Sequence, residues 1–112
     1  MKKIEAIIRP EALEDLREAL DAKGFSGMTV TEVKGRGHQK GITLEWRVGE
    51  YRVEFMPKTK VEVVVDDKQV EAVIDTITKV CSSGNVGDGK IFIIPVEEAV
   101  KIRTKEKGLQ AL

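Results

Sequence analysis

An α+β sandwich made of two βαβ units joined by a long connection is the architecture this sequence predicts, on three observations. Short β-prone segments alternate with two apolar helical stripes in the order β-α-β, connection, β-α-β. Each helical stripe is followed by a glycine, Gly24 and then Gly84, where a helix can close. The 112 residues are one domain's worth of chain, enough to bury one core without disulfides. That order is the ferredoxin-like split βαβ arrangement, a βαββαβ sandwich.

Residues 2–8, Lys-Lys-Ile-Glu-Ala-Ile-Ile, read as the first strand. Pro10 suits the first turn of a helix, where its missing N–H costs nothing. Leu13, Leu16 and Leu20 then recur at i, i+3 and i+7, flanked by Ala12 and Ala19, and Glu11, Glu14, Asp15 and Glu18 load the N-terminal half with charge that suits the helix dipole. Residues 28–34 read as a second strand and 60–65, Lys-Val-Glu-Val-Val-Val, as the clearest one. Asp66 with Gln69 three residues on resembles a capping box, and Val70, Val73, Ile74, Ile77 and Val80 make a full apolar stripe. Residues 91–94 read as a fourth strand closed by Pro95, residues 101–103 as a short extra strand, and 104–112 as a polar tail. Two helices cover one face of a four-stranded sheet. Yet Ile91 and Ile93 point one way while Phe92 and Ile94 point the other, so both faces of that strand want burial. The spacing therefore predicts packing against other copies of the chain.

Composition excludes several classes of function. Nineteen Lys and Arg balance nineteen Asp and Glu, without the positive excess of a general nucleic-acid binder. The chain is 34% charged and 41% apolar, which is globular rather than disordered. No apolar run approaches the roughly 20 residues that span a bilayer, and no secretory leader is read at the N-terminus. One cysteine, Cys81, permits no intramolecular disulfide, and one histidine, His38, leaves little for a transition-metal site or a His-based triad. The expectation is a soluble cytoplasmic domain whose function lies in its loops.

The connection from Gly37 to Pro57 exceeds ordinary hairpin wiring, and loops beyond about 12–15 residues in a compact domain are usually functional or disordered. Residues 34–60 carry seven Lys and Arg against three Glu, an excess of four in a neutral chain, which points to an anionic ligand or partner. A Gly49-Glu50 turn would pair Val48 with Tyr51, Trp46 with Val53 and Leu44 with Phe55 on one face. Such a hairpin either packs on its own core or forms an arm whose stripe, with the sole Trp and sole Tyr, meets a partner protein.

Gly84-Asn-Val-Gly-Asp-Gly-Lys90 matches a P-loop by letters only. It follows a helix, precedes a strand, and has Ile91 where Ser or Thr would hold magnesium. It is either a plain helix-to-strand turn or a cradle in which glycine N–H groups and Lys90 meet an anion. Lys101 and Arg103, one residue apart, would share a face on a strand, as solvated charges or as contacts in a site completed by a neighbouring subunit. Cys81 continues the buried stripe as an inert core thiol. His38 is a surface loop histidine or a phosphate contact.

Taken together, residues 27–35, Gln39-Lys-Gly41, Glu50-Tyr51, Pro57-Lys58, residues 87–92 and residues 101–105 closely resemble the PII nitrogen-regulatory signal transducers over nearly the whole chain. The resemblance implies one domain over residues 1–112, with a long regulatory loop at about 37–57, a glycine loop at 82–90 and a C-terminal loop and tail at 97–112. It implies a homotrimer binding ATP or ADP competitively in clefts between subunits. The nucleotide site it implies comprises Thr29, Gly35, Arg36, Gly37, His38, Glu62, Val64, Gly87, Asp88, Gly89 and Lys90, with Lys101 and Arg103 reaching in from the next subunit. Gln39 would ligate Mg2+ on the nucleotide phosphates. Gln39, Lys40, Gly41 and Lys58 would bind 2-oxoglutarate.

The resemblance further implies a non-enzymatic sensor whose long loop selects targets, among them an ammonium transporter or enzymes and regulators of nitrogen assimilation. Trp46, Arg47 and Tyr51 would meet the partner, and Tyr51 matches a loop tyrosine that is nucleotidylated in many relatives. Membrane association would come only by recruitment to a transporter. Arg36 stands where an aromatic is frequent, His38 and Lys101 where arginines are usual, Trp46 where a tyrosine is usual, and Gly49 removes a serine that cyanobacterial members phosphorylate. The alternatives are a PII-like sensor with a different small-molecule effector, and a small ferredoxin-like hydrolase.

Overall fold

The computed structural model describes residues 1–37, 42–46, 49–53 and 55–112, with only backbone pairing described for 42–46 and 49–53. The expectations placed on His38, Gln39, Lys40, Gly41 and Arg47 lie outside the described residues. In chain order the strands are β1 (Lys2–Ile8), β2 (Thr29–Gly35), β3 (Ile42–Trp46), β4 (Gly49–Val53), β5 (Met56–Val65) and β6 (Lys90–Pro95), and the helices are α1 (Leu13–Ala22) and α2 (Val70–Cys81). Four strands form one sheet in the order β2-β5-β1-β6, antiparallel throughout, and β3-β4 form a separate two-stranded sheet. This is the ferredoxin-like α+β sandwich, with β3-β4 inserted in the connection between its second and third sheet strands.

Alternation along β1 and β5 decides which face is buried. Ile4, Ala6 and Ile8 stand opposite Val63, Val61 and Thr59, all buried on the helix side. Leu16 and Leu20 of α1 and Val73 and Ile77 of α2 close over them. Leu13, Val70 and Val80, also on the expected stripes, pack at the margin of this core. Thr76 is buried as well, its hydroxyl donating to the Ala72 carbonyl at 2.8 Å one turn back. The capping box forms as its spacing predicts: Asp66 accepts from the Lys68 N–H, and the Gln69 side chain accepts from the Asp66 N–H.

Three expectations are corrected. First, β5 begins at Met56 rather than Lys60, so Lys58 lies within a strand. Pro57 pairs with Lys34 of β2 before the β1 pairing begins at Thr59, so it lies where β5 has a single neighbouring strand, the kind of edge position that tolerates proline. Second, Trp46 pairs with Gly49 and Leu44 with Tyr51, so the hairpin reverses between Trp46 and Gly49 and not at Gly49-Glu50. Third, residues 101–103 form a turn. The Lys101 N–H donates to the Glu106 carbonyl at 2.9 Å and the Lys105 N–H to the Lys101 carbonyl at 2.8 Å, with Val100 bridged to Lys107. The argument that Lys101 and Arg103 share a strand face therefore lapses. The segment expected as a polar tail ends in a 3-10 turn, Gly108–Ala111.

The strand predicted to need cover on both faces lacks it within one chain. Ile91 packs on the core, but Phe92 is 47%, Ile93 47% and Ile94 36% exposed, on an outermost strand paired only with β1. Among the described residues, no helix is long and apolar enough to cross a membrane.

Candidate functional site

The glycine loop is shaped by residues that have little conformational choice. After Cys81 the chain turns extended at Ser82, and Gly84, Gly87 and Gly89 adopt φ of 80°, 99° and 103°. Gly89 is constrained twice over. Beyond its left-handed backbone, a Cβ there would lie 1.7 Å from the Ile7 carbonyl oxygen. The loop is thus laid directly against β1, and only glycine permits that approach.

Asp88 turns its carboxylate onto its own loop. It accepts from the Ser83 N–H at 2.8 Å, the Gly84 N–H at 3.0 Å and the Ser83 hydroxyl, with the Arg9 guanidinium 3.5 Å away. The Ser83 hydroxyl above all, then the two loop N–H groups and Arg9, hold its carboxyl below the usual carboxylate range. A lowered folded pKa means that this bracing is present above the unfolded value of 3.8 and is lost as pH falls through the folded one. Followed through the Ser83 and Gly84 amide shifts, the Asp88 titration should have its midpoint below 3.8. A midpoint at or above that value would contradict the bracing.

Lys58 joins this loop to the long connection. Its ammonium donates to the Gly87 carbonyl at 2.9 Å, while its stem lies under Gly35, whose hypothetical Cβ would stand 3.3 Å from the Lys58 Cγ. Gly35 ends β2, so the start of the connection, Lys58 and the glycine loop meet at one end of the sheet. Arg36 and Gly37 continue from there, exposed. A cavity of about 310 Å³ lies beside the loop, lined by Ile7, Cys81, Asp88 and Gly89 among others. Cys81 is half-buried against the core as expected of an inert thiol, and burial, with Asp88 nearby, pushes its pKa up.

The remaining expected site residues form two other groups. Thr29 pairs with Glu62 across β2-β5, and Val64 follows two positions on, on the face away from the helices. Glu62 lies four strand positions from Lys58, roughly 13 Å at 3.3 Å per residue. The Glu62 carboxylate is met by Lys3 at 3.1 Å and Lys60 at 3.8 Å. Lys101 and Arg103 sit on the C-terminal turn, the first partly buried and the second exposed. One chain therefore gathers Gly35, Lys58 and Gly87–Lys90, with Thr29-Glu62-Val64 farther along the sheet, and among the described residues no hydrogen bond or ion pair joins Lys101 or Arg103 to the glycine loop. Nothing in the spacing singled out Arg9, which lies 77 residues before Val86 and yet hydrogen-bonds its carbonyl. Ser83 carried a faint signal, as a hydroxyl just before Gly84 in a helix-to-strand turn.

With backbone N–H groups on positive-φ glycines and the cations of Lys58 and Lys90 close by, this loop is suited to hold an anion. Comparison with known proteins agrees with the resemblance read from the sequence. The family model for the nitrogen regulatory protein P-II matches residues 1–106. Nitrogen regulatory protein P-II 2 of Methanothermobacter thermautotrophicus is 55% identical over 112 residues, covering 100% of this chain and 97% of its own. The nitrogen regulatory proteins P-II of Azospirillum brasilense and Nostoc punctiforme are each 54% identical over the full length of both chains. The chain belongs to the nitrogen regulatory protein P-II family, and is a regulatory signal transducer rather than an enzyme.

Proposed function

We propose that this protein senses energy and carbon/nitrogen state as a homotrimer, binding ATP or ADP and 2-oxoglutarate in clefts between subunits, and that its long loop reports the result to target proteins. The observation that carries this reading is the Lys58–Gly87 hydrogen bond, which joins the base of the long connection to the glycine loop. A ligand that takes Lys58 away from Gly87 acts on both.

The residues fit a nucleotide's phosphates. Gly87 and Gly89 leave backbone N–H groups bare, Gly89 has no room for a side chain, and Lys90 adds charge. Thr29, Glu62 and Val64 would take the base; Gly35, Arg36, Gly37 and His38 would approach the phosphates from the end of β2. Lys101 and Arg103 make no described hydrogen bond or ion pair with the glycine loop of their own chain, and in this reading they serve a neighbour's cleft. The exposed apolar strand β6 favours the same association. When bound, the Mg2+–ATP complex supplies a cationic point for the dicarboxylate. The Gln39 side chain would hold that ion, N–H groups at Lys40 and Gly41 would meet 2-oxoglutarate, and Lys58 would pair with its distal carboxylate.

For the partner, the reading is an ammonium transporter, with a nitrogen-assimilation enzyme or regulator as the soluble counterpart. The protein would be cytoplasmic and reach the membrane only by such recruitment. In the sequence Arg47 follows Trp46, beside the loop's aromatic residues. A guanidinium is always charged and donates several hydrogen bonds, which suits a pore mouth lined with carbonyls or carboxylates. Trp46 and Tyr51 would add contact area, and Tyr51 would be open to nucleotidylation.

The test is sedimentation with ATP or ADP, followed by co-sedimentation with membranes containing the cognate transporter. The expected result is a trimer that binds both nucleotides, and membrane association under ADP that 2-oxoglutarate with Mg2+–ATP reverses. Arg47→Ala should relieve transport block while some docking persists. A monomer that binds neither nucleotide would overturn the sensor reading. Association indifferent to the effector would overturn the transporter.

A further inference from the structure

Arg9 belongs to none of the sites above, yet it is tied to the glycine loop at two points. It follows the buried Ile8 at the end of β1 and precedes Pro10, which restricts it to the extended conformation observed, φ −66° and ψ 139°. Its Nη2 donates to the Val86 carbonyl at 2.7 Å, and its Nε lies 3.5 Å from the Asp88 carboxylate. That Nε is sealed from solvent and makes no hydrogen bond of its own, so the side chain is part of the loop's packing and not a solvated charge. Asp88 in turn holds the N–H groups of Ser83 and Gly84. One guanidinium thus anchors both arms of the loop.

The consequence follows from peptide geometry. In a trans peptide the C=O and the next residue's N–H point in opposite directions, and the described chain has no cis peptide. With the Val86 carbonyl held by Arg9, the Gly87 N–H is turned away from Arg9; with the Gly87 carbonyl held by Lys58, the Asp88 N–H is turned away from Lys58. Among the described residues the Gly87 N–H has no hydrogen-bond acceptor, while the Asp88 N–H closes the turn over Val86 and Gly87.

We propose that Arg9 is a positioning residue of the anion cradle: through the Val86 carbonyl and the Asp88 carboxylate it fixes the 86–88 peptides so that the Gly87 N–H is presented to a phosphate oxygen. The phosphate is named on the strength of the nucleotide reading above. Arg9 does not touch the ligand. Asp88 serves the loop and not the ligand, its carboxylate being consumed by Ser83 and Gly84.

Two measurements test this on the full chain with Arg9→Met, Arg9→Lys and Asp88→Asn. In the ligand-free protein, Arg9→Met should raise hydrogen exchange at the Ser83 and Gly84 amides, which the Asp88 carboxylate holds, about tenfold, with amides of β1 and β5 unchanged. By calorimetry it should weaken Mg2+–ATP about tenfold while leaving adenosine, which has no phosphate, unaffected. Arg9→Lys keeps the charge but cannot span both partners and should fall between wild type and Met; it also serves if Arg9→Met does not fold. Asp88→Asn combined with Arg9→Met should add little to Arg9→Met alone. Loop exchange at wild-type rates in Arg9→Met, or equal weakening of ATP and adenosine, would overturn the proposal. If the wild type itself binds no ATP, the nucleotide reading fails, and the exchange rates alone decide whether Arg9 holds the loop.

Discussion

Gly89→Ala is expected to destabilise the protein by at least about 3 kcal/mol and to abolish anion binding at the loop. The alanine meets two independent penalties. Its backbone would have to hold φ 103°, a region that costs a non-glycine residue about 1–3 kcal/mol. Its Cβ would also be placed 1.7 Å from the Ile7 oxygen, where the obstacle is backbone in a central strand and cannot swing aside as a side chain would. Relief requires the loop to lift off β1, which moves Gly87 and Lys90 together. Gly84→Ala is the control: it has positive φ but nothing within 4 Å of the added carbon, so it should cost about 1 kcal/mol. Denaturant unfolding of the two variants separates the clash from the backbone term. Equal costs would show that the close approach to Ile7 is not fixed by the fold.

The second large effect is expected at Lys58. Lys58→Met should weaken 2-oxoglutarate binding by at least about a hundredfold, because on the proposed reading it would remove the charge paired with a buried carboxylate, an exchange that typically costs about 2–5 kcal/mol. ATP should remain bound, within about tenfold of wild type. Lys58 also holds the Gly87 carbonyl, but Arg9 keeps the neighbouring Val86 carbonyl and the Asp88 carboxylate, so the loop retains an anchor. Calorimetric titration of each ligand on the variant checks both halves. Undiminished 2-oxoglutarate binding would remove Lys58 from the effector site. Loss of ATP binding as well would mean that Lys58, and not Arg9, is the principal support of the loop.

What could be read from the sequence, and what could not, divides along physical lines. The helical stripes, the capping box at Asp66 and Gln69, and the β1-β5 core depend on local periodicity and local hydrogen bonds, which a sequence displays directly. The hairpin register was misjudged because the alternating pattern repeats every second residue. Pairings of Trp46 with Val53 and of Trp46 with Gly49 preserve the same alternation, and Gly49-Glu50 resembled a turn. The start of β5 does not show in the sequence because Pro57 reads as a strand breaker, and its edge position appears only once β1 is seen to pair from Thr59 onward. The alternation Lys101-Ile102-Arg103 looked like strand but lies in a turn held by the Lys101–Glu106 and Lys105–Lys101 backbone bonds. At the site, the glycines and Lys90 left a plain turn and an anion cradle both open, and the resemblance favoured the cradle. The grip of Arg9 and Lys58 on it did not show, because those contacts span 77 and 29 residues and exist only once β1, β5 and the loop are assembled.

The central claim, that one site couples a nucleotide to a dicarboxylate through Lys58 and the glycine loop, is tested most directly by titrating the wild-type protein with 2-oxoglutarate in the presence of Mg2+–ATP, of Mg2+–ADP and of no nucleotide. The account predicts clear binding with Mg2+–ATP and little in the other two. Tight 2-oxoglutarate binding to the nucleotide-free protein would contradict it.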